Sequence, residues 1–456
     1  FLREALSGNK RRKLKIIERK SKDWEKVPQY LTVALHKTNM DTMQAVHYVA
    51  KKLKKKATQF NICGNKDKRG VTTQKVSIFK ANAEQLIRIQ RSKDWDKKVK
   101  LGSFERTFQP MTLGQLSGNR FSVALRFIPQ DVTNEQIATN VENVRKNGFV
   151  NYFGMQRFGT YSVRTHSIGR EQLNQNWQRV IEMILETYSD SDPGEQERKA
   201  KVVKLAIQDQ SFDEALGLLD KRDRLEKCVV TALKKRPNGY YNAFMTISRN
   251  TRIIYIHAYQ SYVWNRAVSE RIKRFGMKVL VGDLVIEAEK IDFETQKLLQ
   301  EAPDEDHDED DEEDQLEQYP TSKDNMGEKK SRFKGLASLE KQLIEVTEEN
   351  LSQFTFFDVV MPLVGYKTRL PPNPELQQII TEIMAEDDIT FHKFEQQAQM
   401  ENFGSAWGSY RKVMERAEDV LYDIVEFQNN NEDLLDPFYL AKEDPKPQLD
   451  LEGARH

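Results

Sequence analysis

The segment that decides the fold is residues 60–78, FNICGNKDKRGVTTQKVSI. A short strand pattern at 60–63 leads into turn-forming residues at 64–70, and a segment rich in β-branched residues at 71–78 leaves the turn. Strand-like segments on both sides of a glycine-bracketed polar turn predict two strands joined by a loop. Asp67 lies in the middle of that loop.

The sequence around this segment alternates between strand and helix patterns. Residues 29–36 alternate in polarity like a strand, and residues 43–53 carry an apolar stripe at helical spacing that ends in a lysine-rich turn. Further strands are predicted at 97–106 and 120–128, and a helix at 133–147. Strands and helices in this order predict a mixed α and β domain.

The pattern becomes mostly helical from about residue 170 to residue 274. Residues 252–275 in this block are aromatic on one side and basic on the other. Residues 301–330 are acidic and almost free of aliphatic side chains, which is typical of a disordered surface loop, and order is expected to return at 354–364. We interpret the helical block as a second domain inserted between two parts of an α/β domain.

Composition excludes several classes of protein. The chain has 456 residues, which suggests two or three domains. No apolar run approaches the ~18–20 residues that cross a bilayer, and the first residues do not have the pattern of a secretory signal. Because Cys63 and Cys228 are the only cysteines, no disulfide framework is expected and a reducing, intracellular compartment is favoured.

Charge is distributed unevenly along the chain. The formal net charge is +1, yet residues 304–314 (DEDHDEDDEED) contain ten acids, so the rest of the chain is basic. Cations that converge on one face attract a phosphate backbone, whereas the alternative is that these lysines only solvate helices. The basic clusters are residues 10–15, 51–56, 97–100, 234–236 and 329–334.

The sequence lacks the motifs of the common enzyme classes. None of the seven histidines has the spacing of a metal site, and His307 in the acidic run is expected to be solvated. There is no phosphate-binding GxGxxG or GxxxxGK[ST] loop and no GxSxG nucleophile elbow. The sequence therefore predicts no metal chemistry and does not support nucleotide hydrolysis or dinucleotide redox.

Asp67 is a candidate catalytic group. It lies between Lys66, Lys68 and Arg69, so the carboxylate is expected to be ionised at neutral pH and able to act as nucleophile or base beside an anionic substrate. The alternative is an exposed charged hairpin, because these are ordinary turn residues.

A second candidate site is residues 151–159, NYFGMQRFG. Aromatic rings can stack on a base, amides can read its edge, and an arginine can hold a phosphate, which together suit an extruded nucleotide. The alternative is a glycine-kinked strand of the core, since aromatic residues are more often packed than used.

Residues 65–74 (NKDKRGVTTQ), followed by 151–159, closely resemble the TruD family of pseudouridine synthases. The resemblance covers about residues 29–415, and the acidic insert is similar to that of the larger eukaryotic members, which act on several RNAs. The family's F-x-V-x-E strand before the first motif and its terminal S-x-Y-A-T-x-x-x-R-E segment are not placed on residues 1–456. Supporting matches are residues 37–42, 113–121, 257–265, 358–366 and 408–411.

The resemblance implies a mixed-sheet α/β catalytic domain of the pseudouridine synthase type with a large, mainly helical insertion domain. It implies isomerisation of uridine to pseudouridine in RNA, without metal or cofactor. The expected organisation is a basic segment at 1–28, the first part of the catalytic domain at 29–159, the insertion domain at 160–410 and a return to the catalytic domain at 411–456.

The resemblance also assigns roles to individual residues. Asp67 corresponds to the catalytic aspartate, Phe153 to an aromatic that stacks on the uracil, and Asn151 to its neighbour in the pocket. Lys37 corresponds to the lysine of the first motif, expected to neutralise or orient anions of the pocket. Whether Asp67 attacks the sugar or removes its C2′ proton stays open.

RNA is the expected partner: tRNA, and mRNA and snRNA in addition. The chain is expected to be a monomer without membrane association, located in the nucleus, the cytoplasm or both; residues 10–15 fit an import signal or a phosphate-binding patch equally well. Two alternatives are a non-catalytic RNA-binding or chaperone protein with the same fold and a basic scaffold without RNA specificity.

Overall fold

The computed structural model describes residues 28–112, 115, 118–188, 194–287, 339–401 and 404–425. The described residues form two compact units, one up to Ala124 and the other from Leu125 onward. Residues 1–27 of the predicted basic segment at 1–28 lie outside the described residues, as do the acidic segment at 301–330 and the basic clusters at 10–15 and 329–334.

The first unit is a four-stranded antiparallel sheet with two helices. Its strand order is β2-β3-β1-β4, so β1 lies between the two other long strands. Central strands have both edges hydrogen-bonded, which fixes the backbone of β1 firmly. The elements are β1 (Tyr30–Thr38), α1 (Thr42–Leu53), β2 (Phe60–Ile62), β3 (Val71–Phe79), α2 (Ala83–Gln90) and β4 (Val99–Thr107).

The polarity pattern of β1 explains how the sheet packs. Leu31, Val33 and Leu35 are at most 3% exposed and share a core with the apolar stripe of α1. Burial of each such side chain contributes about 1.5–3 kcal/mol. Asp41 begins α1 by accepting a hydrogen bond from Met43 N at 2.7 Å, so the helix starts directly after β1.

The second unit is mainly helical. Its longest helix, α11, carries Tyr259 and Trp264 into the core, and the indole Nε1 of Trp264 donates to Met361 O at 3.1 Å. The helices are α3 (Asn134–Asn147), α4 (Met155–Phe158), α5 (Thr165–Leu173), α6 (Trp177–Glu186), α7 (Glu195–Val203), α8 (Phe212–Leu218), α9 (Arg224–Lys235), α10 (Tyr240–Met245), α11 (Arg249–Phe275), α12 (Pro374–Ala385) and α13 (Phe391–Glu401).

Two antiparallel sheets complete the second unit. One has the strand order β7-β6-β8-β9, and the other pairs β5 with β10. The β5–β10 pair aligns Val150 with Met414, which brings the candidate segment 151–159 next to the chain after β9. The strands are β5 (Phe149–Val150), β6 (Leu284–Val285), β7 (Ile344–Glu345), β8 (Val359–Leu363), β9 (Ser409–Lys412) and β10 (Met414–Glu415).

The fold class predicted from the sequence, an α/β domain with a large helical insertion, is confirmed. The strand predicted at 120–128 is wrong: no described strand pairs with it, and Phe121 and Leu125 are 73% and 74% exposed. Alternating polarity shows only that one face is apolar; a strand also needs a hydrogen-bonding partner. The domain boundaries placed at 159/160 and 410/411 stay predictions.

Candidate active site

The loop that carries Asp67 joins β2 to β3 and is tied to the end of β1. Gly64 and Gly70 at its two ends have φ values of 146° and 141°, in the region that favours glycine. Asn39 N donates to Gly70 O at 2.8 Å, and Asn39 Oδ1 accepts from Gly70 N at 3.0 Å. The Asp67 side chain is exposed at the top of this loop.

Lys37 lies beneath the loop and is 1% exposed. Its ammonium donates to the main-chain oxygens of Lys66, at 3.0 Å, and Asp67, at 2.8 Å. Burial lowers the pKa of Lys37, and the carboxylates of Asp41 and Asp67 oppose that shift. Lys37 therefore fixes the backbone at Asp67 and leaves the carboxylate free to face solvent.

Two further side chains brace the same loop. Thr42 Oγ1 is buried and accepts from Lys66 N at 3.0 Å; its one proton can go to Lys66 O, at 3.3 Å, or to Gln74 Oε1, at 3.4 Å. Gln74 Nε2 donates to Gly64 O at 3.1 Å. No role was predicted from the sequence for Asn39, Thr42 or Gln74, although all three lie in the matched segments 37–42 and 65–74.

The charges at the loop surface are cationic around the single carboxylate. Lys68 and Arg69 are exposed beside Asp67, and burial lowers the pKa of Lys66. Cations placed in this way attract a polyanion to the neighbourhood of the carboxylate. An exposed, anchored carboxylate in a basic loop can act as a nucleophile or a base.

Asn151, in the second unit, follows β5 and has its polar groups bound to the chain around β9 and β10. Its backbone N donates to Val413 O at 2.9 Å and its side-chain Nδ2 to Lys412 O at 3.2 Å. Its main-chain O accepts from Arg411 Nε at 2.8 Å, and its Oδ1 accepts from Arg411 Nη2 at 2.6 Å. Asn151 thus holds the Arg411 guanidinium in a fixed plane.

Phe153 is 8% exposed and belongs to the core of the second unit. Its ring meets the edge of Trp264 at a centroid distance of 5.7 Å, and its backbone exchanges two 3.0 Å hydrogen bonds with the Asn265 side chain. The guanidinium carbons of Arg411 and Arg157 lie 4.1 and 5.5 Å from the ring centroid. A base can stack directly on Phe153 only on a ring face that neither guanidinium covers.

The structure brings the four predicted residues together as two pairs. Lys37 and Asp67 meet in the first unit, and Asn151 and Phe153 lie close together in the second. The segment 151–159 is neither wholly core nor wholly surface, since Phe153 and Arg157 are buried while Met155 is 59% exposed. The roles assigned to the four residues stay predictions.

The basic clusters that fall within the described residues are only partly available to a ligand. In residues 51–56, Lys52 Nζ pairs with Asp94 at 2.6 Å and Lys55 Nζ donates to Phe79 O at 2.9 Å. In residues 234–236, Lys234 pairs with Asp213. Lys52, Lys55 and Lys234 thus already have protein partners, and the alternative that the lysines only solvate helices stays a prediction.

The described part of the chain also bears on metal binding and membrane insertion. No group of three or more His, Cys, Asp or Glu side chains there is placed to hold a metal ion. None of the helices it contains is both long and apolar enough to cross a bilayer.

Known proteins resemble this chain over most of its length. A pseudouridylate synthase 7 homolog of Homo sapiens is 28% identical over 405 residues, covering 88% of this chain and 51% of the human protein. The multisubstrate pseudouridine synthase 7 of Schizosaccharomyces pombe is 30% identical, covering 89% of this chain and 55% of the yeast protein. The chain thus spans about half the length of these curated relatives.

A solved structure shares the fold of this chain, and a family description matches its sequence. The crystal structure of a protein assigned as tRNA pseudouridine synthase D (TruD) from Methanosarcina mazei superposes with a TM-score of 0.59 at 22% identity, covering 85% of this chain and 78% of that one. This likeness establishes the fold. The family described as tRNA pseudouridine synthase D (TruD) matches residues 13–318. The chain therefore belongs to the TruD family.

Proposed function

We propose that this chain carries the catalytic part of an RNA pseudouridine synthase that isomerises selected uridines in tRNA and in other RNAs, mRNA and snRNA among them. One observation carries the proposal: the exposed Asp67 carboxylate stands on a loop whose backbone is held by the buried ammonium of Lys37. The names of the human and yeast relatives, both pseudouridine synthases, support the same reaction.

The reaction needs a positioned carboxylate and no redox carrier. The N1–C1′ bond of uridine breaks, the uracil turns, a C5–C1′ bond forms, and the proton of C5 leaves while N1 gains one. Atoms and electrons balance, because substrate and product are isomers. Asp67 either attacks C1′ to form a covalent intermediate or removes the C2′ proton, and both routes use an ionised carboxylate.

The target base has to leave the stack before Asp67 can reach its sugar. Flipping a nucleotide costs about a few kcal/mol, which contacts to the extruded base and to the phosphates offset. We assign Phe153 and Asn151 to contacts with the base, and Lys37 to the anchoring of the Asp67 loop. Since Arg411 lies over the Phe153 ring, stacking of uracil on Phe153 requires a ring face that Arg411 leaves open.

Compartment and assembly are part of the proposal. We place the protein inside the cell, in the nucleus, the cytoplasm or both, as a monomer on RNA. Support comes from the two free cysteines, of which Cys63 is buried and Cys228 exposed, because exposed thiols persist in a reducing compartment.

Chemical mapping of pseudouridine in an RNA pool tests the function. A pool of RNA transcribed in vitro from cDNA, and therefore without the modification, is incubated with the wild-type protein, with Asp67→Ala, or with Glu105→Gln, which neutralises an exposed carboxylate of the same unit outside the loop. The wild type and Glu105→Gln should create the same new sites in tRNA and other RNAs, and Asp67→Ala should create none while still binding RNA.

Two other results would overturn the proposal. RNA binding by the wild type without any new pseudouridine would favour the non-catalytic RNA-binding or chaperone function. Binding that ignores RNA sequence and fold, again without modification, would favour a basic scaffold.

A further inference from the structure

Arg411 of β9 has hydrogen-bond donors that the protein does not use. A guanidinium has five N–H groups. Nε and Nη2 each donate one to Asn151, at 2.8 and 2.6 Å, and within the described residues no other hydrogen bond of Arg411 is found. Its flat face lies over Phe153, so the plane is fixed and the donors that remain point away from Asn151.

The charge of Arg411 is also not neutralised. Within the described part of the chain Arg411 forms no ion pair, and a second guanidinium, that of Arg157, lies over the same Phe153 ring. Burial, followed by repulsion from Arg157, lowers the pKa of Arg411 to about 10, so the group is still protonated at pH 7. The Glu415 carboxylate attracts it without pairing, and burial raises the pKa of Glu415.

Two arginines elsewhere in the described residues are paired with carboxylates. Arg271 is fully buried and donates to Asp283 Oδ2 at 2.6 Å, and Arg179 bonds Glu186 Oε1 at 2.9 Å. Pairing is the usual outcome, because a desolvated charge without a partner is unfavourable. Arg411 has no carboxylate partner in the described residues and is nevertheless held rigidly. This arrangement is that of a preorganised anion-binding side chain.

We propose that Arg411 binds a phosphate oxygen of the RNA backbone, with Asn151 fixing its orientation and Arg157 adding positive charge beside it. This inference rests on the proposed function, since RNA supplies the phosphate. Planar guanidinium groups suit phosphate oxygens because two parallel N–H groups can bond at once. Phosphate contacts fix the position of a nucleic acid without reading its sequence. Arg411 would therefore hold the strand while other groups select the uridine.

Salt dependence of RNA binding tests the proposal. A fluorescent single-stranded oligouridylate is titrated with wild-type protein, Arg411→Gln and Arg411→Lys over a series of KCl concentrations. Each phosphate neutralised on a single strand contributes about 0.7 to the slope of log K against log salt. Arg411→Gln should lower the slope by about 0.7 and weaken binding about tenfold at fixed salt.

Arg179→Gln is the matched control, because Arg179 is already bound to Glu182 and Glu186. It should keep the wild-type slope. Arg411→Lys retains the charge but cannot bond Asn151 and a phosphate with parallel N–H groups, so it should keep the slope and still bind less tightly. Circular dichroism shows whether Arg411→Gln folds. If it does not, the affinity of Arg411→Lys for the oligouridylate is the test, and an affinity equal to that of the wild type overturns the proposal.

The remaining outcomes separate this inference from the proposed function. A wild-type slope and affinity in folded Arg411→Gln overturn the phosphate contact even when the protein forms pseudouridine. An Arg411-dependent slope in a protein that forms no pseudouridine overturns the catalytic function and supports the contact. A wild-type protein that binds oligouridylate with no salt dependence overturns the contact as well.

Discussion

Replacement of the buried Lys37 by methionine distinguishes two contributions of this side chain, the positioning of the Asp67 loop and the stability of the fold. Methionine fills a similar volume without charge or hydrogen bonds, so Lys37→Met removes both bonds to the main-chain oxygens of Lys66 and Asp67. Those oxygens then have no ammonium beneath them, and the loop can shift by an ångström or so. The Asp67 side chain itself is unchanged.

The effect on stability is small because two large contributions oppose each other. Two hydrogen bonds from a charged donor are worth about 1.5–3 kcal/mol each. Desolvation of an ammonium at a position that is 1% exposed costs several kcal/mol, and this penalty disappears in the variant. We expect the free energy of unfolding to change by no more than about 2 kcal/mol in either direction.

The effect on catalysis is large because the rate depends on the position of the Asp67 carboxylate more than on the affinity for RNA. A misplacement of about 1 Å can lower the rate of a reaction about 100-fold. Lys37→Met should lower kcat by about that factor and leave KM within a few-fold, as measured by release of tritium from C5-labelled uridine in RNA. Urea unfolding of the same preparation gives the stability.

Lys52→Met is the control, since Lys52 is half-buried and its ammonium is paired with the exposed Asp94. It should change neither kcat nor the free energy of unfolding. A kcat of Lys37→Met within about threefold of wild type would refute the positioning role. A rise in KM with an unchanged kcat would instead show that Lys37 acts on the bound substrate.

Three further predictions concern other parts of the molecule. Burial lowers the pKa of Lys37 in the folded state, so the unfolded chain binds more protons between that pKa and the ordinary value of 10.5. The free energy of unfolding of the wild type should therefore rise with pH in that window, relative to that of Lys37→Met. Urea titrations at several pH values measure this difference. Thr42→Val leaves Lys66 N without its acceptor and should reduce the unfolding free energy by about 1–3 kcal/mol and lower kcat, whereas Thr42→Ser should restore both; equal stabilities of the two variants would contradict the role of the hydroxyl. Gly169→Ala places a Cβ 2.0 Å from Tyr255 O between α5 and α11 and should lower the free energy of unfolding, measured by thermal unfolding, by about 1–3 kcal/mol or more. Gly217→Ala, whose Cβ has nothing within 4 Å, should leave the stability unchanged or raise it. A less stable Gly217→Ala than Gly169→Ala would show that α5 and α11 can move apart freely.

The sequence predicted the four strands and the first helix of the first unit, because local polarity periods determine them, but it did not predict α2. The alternation in 29–36 and the helical stripe in 43–53 correspond to β1 and α1, and the glycine-bracketed turn corresponds to the Asp67 loop. Residues 120–128 show where the approach fails. Their alternation is that of a strand, but hydrogen bonding to a neighbour is a property of the fold and not of the segment.

Contacts of the candidate site could not be predicted, because they join distant parts of the chain. The motif resemblance pointed to Lys37 and Asp67, yet nothing in the sequence shows that the ammonium bonds main-chain oxygens and not the carboxylate. Arg411 and Asn151 are 260 residues apart, and only the pairing of β5 with β10 brings them together. The position of Phe153 beneath Arg411 likewise could not be predicted from composition or from the spacing of the motifs.

The most direct test of the role of Asp67 is the single-turnover rate of pseudouridine formation at saturating enzyme, compared between the wild type and Asp67→Asn. Asparagine keeps the shape and the backbone contacts of the loop and removes only the ionisable oxygen. If the carboxylate is the reacting group, the wild type converts the bound RNA and Asp67→Asn produces no detectable pseudouridine while its affinity for RNA is unchanged. A comparable rate in Asp67→Asn would show that another group performs the chemistry.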